Sequence, residues 1–176
     1  MNQKTLHTLE FDKILSLLEE KAVSAPGKAL CRALTPMTEL GAIETAQAET
    51  EAALSRIRMK GELRLAGLRD VSASVKRLDV GGTLSTSELY AIGTLLDLSE
   101  RARNYGAHEE AEPEPDALEA AFTALSPLPK EKRELKRCVL SEELVADTAS
   151  AELSRIRRQM KTADERMHSA LQEEIN

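Results

Sequence analysis

The chain has 176 residues, enough for one sizeable core or two small ones, and 41% of them are apolar while only 2% are aromatic. A core so poor in rings is built from Leu, Ala, Ile, Val and Met, which favours packed helices over extended sheet. The net charge of −6, and the lack of aromatic side chains between the basic ones, weigh against a uniformly basic module that stacks on bases. No apolar stretch is long enough to span a bilayer.

Met1 is followed by polar Asn2-Gln3-Lys4 with no apolar leader, so a cytoplasmic protein is expected. Cys31 and Cys138 lie far apart without metal spacing and read as reduced, partly buried thiols. The first predicted helix runs from Thr8 to Ala22, with Phe11, Ile14, Leu15 and Leu18 on one face. Ser24-Ala25-Pro26-Gly27 breaks it, and a short helix follows to Ala33, with Pro26 in the first turn, where its missing N–H costs nothing. After the turn Thr35-Pro36-Met37, Thr38 is the expected cap of a longer helix ending before Gly61. Its Leu40, Ile43, Leu54 and Ile57 fit a heptad interrupted by Gln47 and Thr50, which predicts packing in a bundle with a thin or wet middle.

Residues 62–70 are irregular, and Asp70 is placed to cap a helix over 71–80 that Gly81-Gly82 ends. Ser85-Thr86-Ser87-Glu88 is a capping box, the sharpest local signal in the chain. It opens a helix through Leu89, Ile92, Leu95, Leu96 and Ala102 that closes near Gly106. Residues 107–116 form an acidic, Pro-containing loop. A short helix at Leu118–Leu125, a break at Ser126-Pro127-Leu128-Pro129 and a helix from Lys130 to Arg137 come next. Cys138-Val139-Leu140 and Leu144-Val145-Ala146, around Ser141-Glu142-Glu143, read as a short β-hairpin. From Ser150 onward, Leu153, Ile156, Met160, Ala163, Met167 and Ala170 alternate at spacings of three and four, the seam of a coiled-coil arm. No Gly or Pro precedes Asn176 to end that helix, so the front piece of a longer protein is expected.

Catalytic constellations are weak. Gly27-Lys28 lacks both the Gly five residues earlier, where Ala22 stands, and the following Ser/Thr of a phosphate-binding loop. His7, His108 and His168 are scattered, and neither Cys has a neighbouring His. Cys138 beside Lys136 and Arg137 would need a positioned base to act as a nucleophile; a small buried thiol is the commoner outcome. Paired carboxylates such as Glu19-Glu20 and Glu109-Glu110 fall on predicted solvent faces or in a loop. No catalytic, cofactor-binding or metal-ligating residue is therefore assigned.

Basic clusters carry the functional expectation. Lys130, Lys132, Arg133, Lys136 and Arg137 crowd one helix, tempered by Glu131 and Glu134. Arg155, Arg157, Arg158 and Lys161 gather at the root of the arm, and Arg56, Arg58, Lys60, Arg64 and Arg69 form a looser group. Such cations grip phosphate backbones without reading sequence, although a solvated face with i,i+4 pairs competes as the explanation for each cluster alone.

Four stretches together carry a resemblance: Thr8-Leu9-Glu10-Phe11-Asp12-Lys13-Ile14-Leu15; Gly67-Leu68-Arg69-Asp70-Val71; Gly81-Gly82 with Leu84-Ser85 and Glu88-Leu89; and Arg137-Cys138 followed by Asp147-Thr148-Ala149-Ser150, Glu152-Leu153 and Ile156-Arg157-Arg158. In this order they resemble the N-terminal part of the bacterial MutS type II family, the paralogues without mismatch-recognition domains. The resemblance implies a homodimeric ATPase using ATP and Mg, with a helical lever or core domain, a coiled-coil clamp, an ATPase domain and often a C-terminal Smr nuclease domain. It also implies binding of branched DNA with suppression of recombination, or binding of ribosomal RNA in the rescue of collided ribosomes. One departure is the hairpin turn, where members often carry Asp/Gly and this chain has Ser141-Glu142-Glu143.

The expectation is thus an all-α chain: a helical lever domain over 1–147 with one short hairpin, and a truncated clamp arm over 148–176. Arg155, Arg157, Arg158, Lys161, Lys130, Lys132, Arg133, Lys136 and Arg137 are the candidate nucleic-acid contacts, with no membrane partner. The competing expectation is a free-standing helical adaptor that dimerises through the seam from Leu153 to Ala170.

Overall fold

The protein is described by a computed structural model that covers residues 3–107 and 115–175. Among these residues it is all-α, with α1 (Gln3–Thr8), α2 (Phe11–Lys21), α3 (Ala25–Ala33), α4 (Leu40–Lys60), α5 (Ser72–Asp79), α6 (Thr86–Gly106), α7 (Glu119–Thr123), α8 (Pro129–Cys138) and α9 (Ala151–Ile175). A 3₁₀ turn over Asp147–Ala149 precedes α9. Most of the predicted acidic loop, with His108, Glu109 and Glu110, lies outside the described residues.

The first predicted helix is in fact two. Glu10 adopts a left-handed conformation at φ 54° between them, and its amide bonds to His7 O at 3.1 Å, so the chain turns sharply there. Helix α2 packs on α3, which Ser24 caps by accepting from Gly27 N at 3.1 Å. Arg32 of α3 donates from Nε to Glu19 of α2 at 2.7 Å, and this bond holds the Glu19 carboxyl below its ordinary range. The cap of α4 is Glu39 rather than Thr38; its carboxylate accepts from Gly41 N at 3.1 Å and from Ala42 N at 2.6 Å. Gly61, at φ 78°, ends α4 where a side chain would be strained.

Among the described residues, α4 leaves much of its expected packing face uncovered. Leu40, Leu54 and Ile57 of its heptad are exposed, and the residues it buries are Ala52 and Arg56. One end of the helix is instead tethered by polar groups. Arg56, 4% exposed, donates to Asp116 at 2.5 and 2.9 Å and to Gly106 O at 3.2 Å, and its guanidinium lies 5.1 Å from the Phe122 ring centre. Lys60 Nζ donates to Ala107 O at 2.9 Å.

The packed centre of the molecule is α6. Its Leu96, Leu98 and Ala102 are buried, joined by Val139 and Ala146 from the segment after α8. The capping box starts α6 as predicted: Ser85 Oγ accepts Glu88 N at 3.3 Å, and Glu88 accepts Ser85 N at 2.8 Å. At its far end Gly106 sits directly against Phe122 of α7, where any Cβ would run into the ring. The hairpin is reduced to one antiparallel bridge between Val139 and Val145, flanked by bonds from Leu140 N to Leu144 O at 2.9 Å and from Ala146 N to Cys138 O at 2.8 Å. Its turn needs no glycine. Ser141 Oγ accepts the amides of Glu143 at 3.3 Å and Leu144 at 3.2 Å, and positive φ among described non-Gly residues occurs only at Glu10 and Leu128.

The chain presents 13563 Å² of accessible surface. A compact monomer of 19.3 kDa presents roughly 8,500 Å². The long α9 contributes to the excess, and α2, α3 and α4 leave apolar side chains uncovered, including Ile14, Leu17, Leu30 and Leu40.

Candidate nucleic-acid interface

Helix α8 starts where Leu128, at φ 41°, turns the chain and Pro129 takes the first helical position, where its missing N–H costs nothing. One side of α8 faces α6, and there its lysines are consumed. Lys132, with its side chain 15% exposed, pairs with Glu100 and lies 3.7 Å from Asp97; Lys136 Nζ sits 2.6 Å from Asp97 Oδ1. The bond to Glu100 raises the Lys132 pKa, and the bond from Lys136 lowers that of Asp97. Both lysines tie α8 to α6; Lys132 is largely covered there, whereas Lys136 stays exposed while paired.

Arg137 is also engaged. It donates from Nε to Glu134 at 3.0 Å and from its terminal nitrogens to Thr148 O at 2.6 Å and Ala149 O at 3.3 Å. The Glu134 carboxylate raises the Arg137 pKa, and that arginine lowers the carboxyl in return. Arg157, from the first turns of α9, reaches back to Val145 O at 2.8 Å and pairs with Asp147. These two arginines tie α8 and α9 to the 3₁₀ turn and the residues around it, and so fix the root from which α9 leaves the body. Ser150 Oγ, accepting from Leu153 N at 3.1 Å, caps that exit.

The other candidates lie open. Lys130 and Arg133 on the outer side of α8, and Lys161 on α9, are exposed and take part in no ion pair among the described residues. Arg158 donates only to Ser154 Oγ at 3.3 Å, and Arg155 keeps a loose 3.9 Å pair with Glu152. The structure thus divides the nine candidates. Arg155, Arg158, Lys161, Lys130 and Arg133 are exposed with at most loose partners; Lys132, Lys136, Arg137 and Arg157 are engaged in tertiary bonds, although Lys136 and Arg137 also remain exposed. In the looser third group Arg56 is buried and Arg69 is tied to Glu142 at 2.8 Å.

Sequence reasoning missed two polar joints. One is Arg56 with Asp116, sixty positions apart. The other is Glu142, at the tip of the hairpin turn, which accepts from Arg69 at 2.8 Å and from Ser87 Oγ at 3.2 Å. The bond from Arg69 lowers the Glu142 pKa. A signal for Arg56 existed, since Ala52 one turn earlier makes room on that face for a close neighbour. No comparable signal marked Glu142.

No arrangement for nucleophilic or metal chemistry is assembled among the described residues. Cys138 Sγ lies 3.5 Å from Glu134 Oε1, a carboxylate that Arg137 already occupies, and Cys31 and Cys138 are both half-buried free thiols. No group of three or more His, Cys, Asp or Glu among the described residues is placed to hold a metal ion. Gly27-Lys28 does not fit a phosphate loop, because the Gly27 amide is spent on Ser24 within the first turn of α3. No helix among the described residues is long and apolar enough to cross a membrane.

No protein-family model matches the chain. It is 39% identical over 176 residues to the protein named Endonuclease MutS2 of Agathobacter rectalis, covering 100% of this chain and 22% of that protein. The Endonuclease MutS2 of Lachnoclostridium phytofermentans is 38% identical over 181 residues, again with 100% of this chain and 23% of its own length. That of Geobacillus sp. is 34% identical across 98% of this chain and 22% of its own. The chain spans less than a quarter of the length of the curated relatives it matches. From end to end it is similar to one part of proteins named Endonuclease MutS2.

Proposed function

We propose that this chain is the N-terminal lever and the clamp root of a MutS type II ATPase. It would be a cytoplasmic, non-catalytic part coupling a distant ATPase dimer to an arm that grips nucleic acid. The observation that carries this reading is the build of the α9 root. Arg137 and Arg157 lock it to the body, while Arg155, Arg158 and Lys161 stand exposed just beyond. A rigid root transmits rotation of the body to the arm, because close-packed joints resist continuous deformation. The exposed cations supply the sequence-independent grip on phosphate that either branched DNA or ribosomal RNA would need.

The similarity to proteins named Endonuclease MutS2 supports the placement, and the uncovered apolar surface of α2, α3 and α4 suits a piece that packs against further protein. ATP and Mg would be bound by other parts of the homodimeric whole, as would any nuclease chemistry, since the residues here do not form a phosphate loop. Saturable ATP hydrolysis by this chain alone would overturn the non-catalytic assignment.

The test is fluorescence anisotropy with a four-way DNA junction and with a structured ribosomal RNA helix at low salt. Binding that weakens steeply with salt is expected. Replacing Arg155, Arg158 and Lys161 by Ala is expected to reduce the log–log salt slope by about three, roughly 0.9 for each phosphate no longer neutralised on a DNA duplex. Lys132→Ala should leave that slope unchanged. The tighter of the two ligands tells DNA processing from ribosome rescue. Absence of binding to both, or an equal reduction from Lys132→Ala, would sink the reading of these cations.

A further inference from the structure

Residues 61–71 join α4 to α5, and on the way they run along α6 from its last turn to its first. At the start of this segment the Tyr105 hydroxyl, near the end of α6, donates to Gly61 O at 2.9 Å. Leu63 and Leu65 then line a groove with Ile57, Leu118 and Phe122. Midway, Leu68 N bonds to Leu65 O at 3.3 Å, in a turn that Gly67 permits with its φ of 85°. That corner rests on the middle of α6, since a Cβ on Gly67 would touch Thr94 Cγ2 at 3.8 Å. Near the end, Arg69 donates to one oxygen of Glu142 at 2.8 Å, and the other oxygen accepts from Ser87 Oγ, in the first turn of α6, at 3.2 Å.

The segment has little slack. Tyr105 and Ser87 are 18 positions apart on α6, which is about 27 Å. Gly61 and Arg69 are eight positions apart, and eight extended residues reach at most about 29 Å. The turn at 65–68 shortens that reach, and the side chains of Tyr105, Arg69 and Glu142 make up the difference. Just beyond Arg69, α5 is fixed to the same end of α6, because Ser74 and Arg77 both bond to Glu88. A displacement arriving from α4 is therefore taken up at Arg69. Its partner Glu142 sits at the tip of the turn closed by the Val139–Val145 bridge, and Arg157 of α9 holds Val145 O at 2.8 Å.

We infer that residues 61–71 are a strap that couples the end of α4 to the root of α9, with the Gly67 corner on Thr94 as its pivot. Both end contacts are open to water, so the coupling acts on local opening of the hairpin rather than on overall stability. The strap goes beyond the clamp reading and does not need it, because its signature lies in the hairpin and not in phosphate binding.

Hydrogen–deuterium exchange of the whole chain, read at single amides by NMR, tests it. Tyr105→Phe removes only the hydroxyl at the α4 end. It is expected to speed exchange of the Leu140 and Ala146 amides, relative to that of Leu98 in the core, by about two- to five-fold, the scale of one hydrogen bond. Coupling is reciprocal, so Glu142→Gln should speed exchange of the Gly61 amide, which bonds to Ile57 O at 3.0 Å. Two glycines inserted between Leu68 and Arg69 keep the corner and add slack; they should abolish the response of the hairpin to Tyr105→Phe. A hairpin indifferent to Tyr105→Phe, a Gly61 amide indifferent to Glu142→Gln, or a response that survives the inserted glycines would each overturn the proposal. None of these results bears on the reading of the exposed cations.

Discussion

Helices α6 and α9 are both long neighbours of the same short helix-and-bridge segment, yet their surroundings are opposite. The 21 residues of α6 are packed by α7 and α8 and bury Leu96, Leu98 and Ala102. The 25 residues of α9 touch little beyond their own root. Basic residues follow that difference. Cations on α8 that meet α6 find Asp97 and Glu100 and become fasteners, whereas those along α9 beyond Arg157 meet no packed carboxylate and stay accessible. The same residue type is structural or available according to what its helix lies against.

The strongest way to break this comparison is to truncate one apolar side chain on each helix. Leu98→Ala, at a site 2% exposed, is expected to cost about 3 kcal/mol of unfolding free energy. Met160→Ala should cost less than about 0.5 kcal/mol, because its site is already in water. Urea denaturation of both variants checks this; similar destabilisation would mean that α9 is covered in solution.

A slightly smaller effect is expected at the tether of α4. Arg56→Ala removes a buried guanidinium from Asp116, Gly106 O and the Phe122 face, and should destabilise by about 2–3 kcal/mol. Arg56→Lys should recover only part of that stability, since an ammonium cannot reproduce the two-pronged bond to Asp116. Full rescue by Lys would show that only the charge matters.

The gentlest test uses pH. Arg56 holds the Asp116 carboxyl below its ordinary value of 3.8, and Lys136 does the same for Asp97. A carboxyl whose folded pKa is depressed adds stability above its unfolded pKa and loses it as pH falls through the folded one. Thermal stability should therefore be flat from neutrality to about pH 5 and decline below about pH 4. Asp97→Asn should lower the plateau and shallow the decline. A variant with an unchanged acid limb would remove Asp97 from the account.

Much of the helical layout was legible in local chemistry, because caps and breakers act over one turn. Ser24 and the Ser85–Glu88 box each begin a helix where expected, whereas α5 starts at Ser72 with Val71 in the cap position, and Asp70, the expected cap, accepts from Ser72 N at 2.9 Å one residue too early. The misread start of α2 came from Glu10, whose left-handed turn has no residue signature such as Gly. The heptad of α4 was equally legible as a pattern, but a pattern states which face seeks cover and not whether the chain supplies it. The candidate site shows the same limit: the cations were visible as clusters, and nothing in their spacing separated Lys132 from Arg133.

By itself the sequence determined where most helices start and stop, that α9 carries an apolar seam with a basic root and an acidic far half, and that Gly27-Lys28 is no phosphate loop. These are properties of residues a few positions apart. Tertiary structure alone decided which charges are spent. The partners of Arg56, Arg69, Lys132 and Lys136 lie dozens of positions away, and only the tertiary arrangement of the helices and of the loops between them brings them within hydrogen-bonding distance.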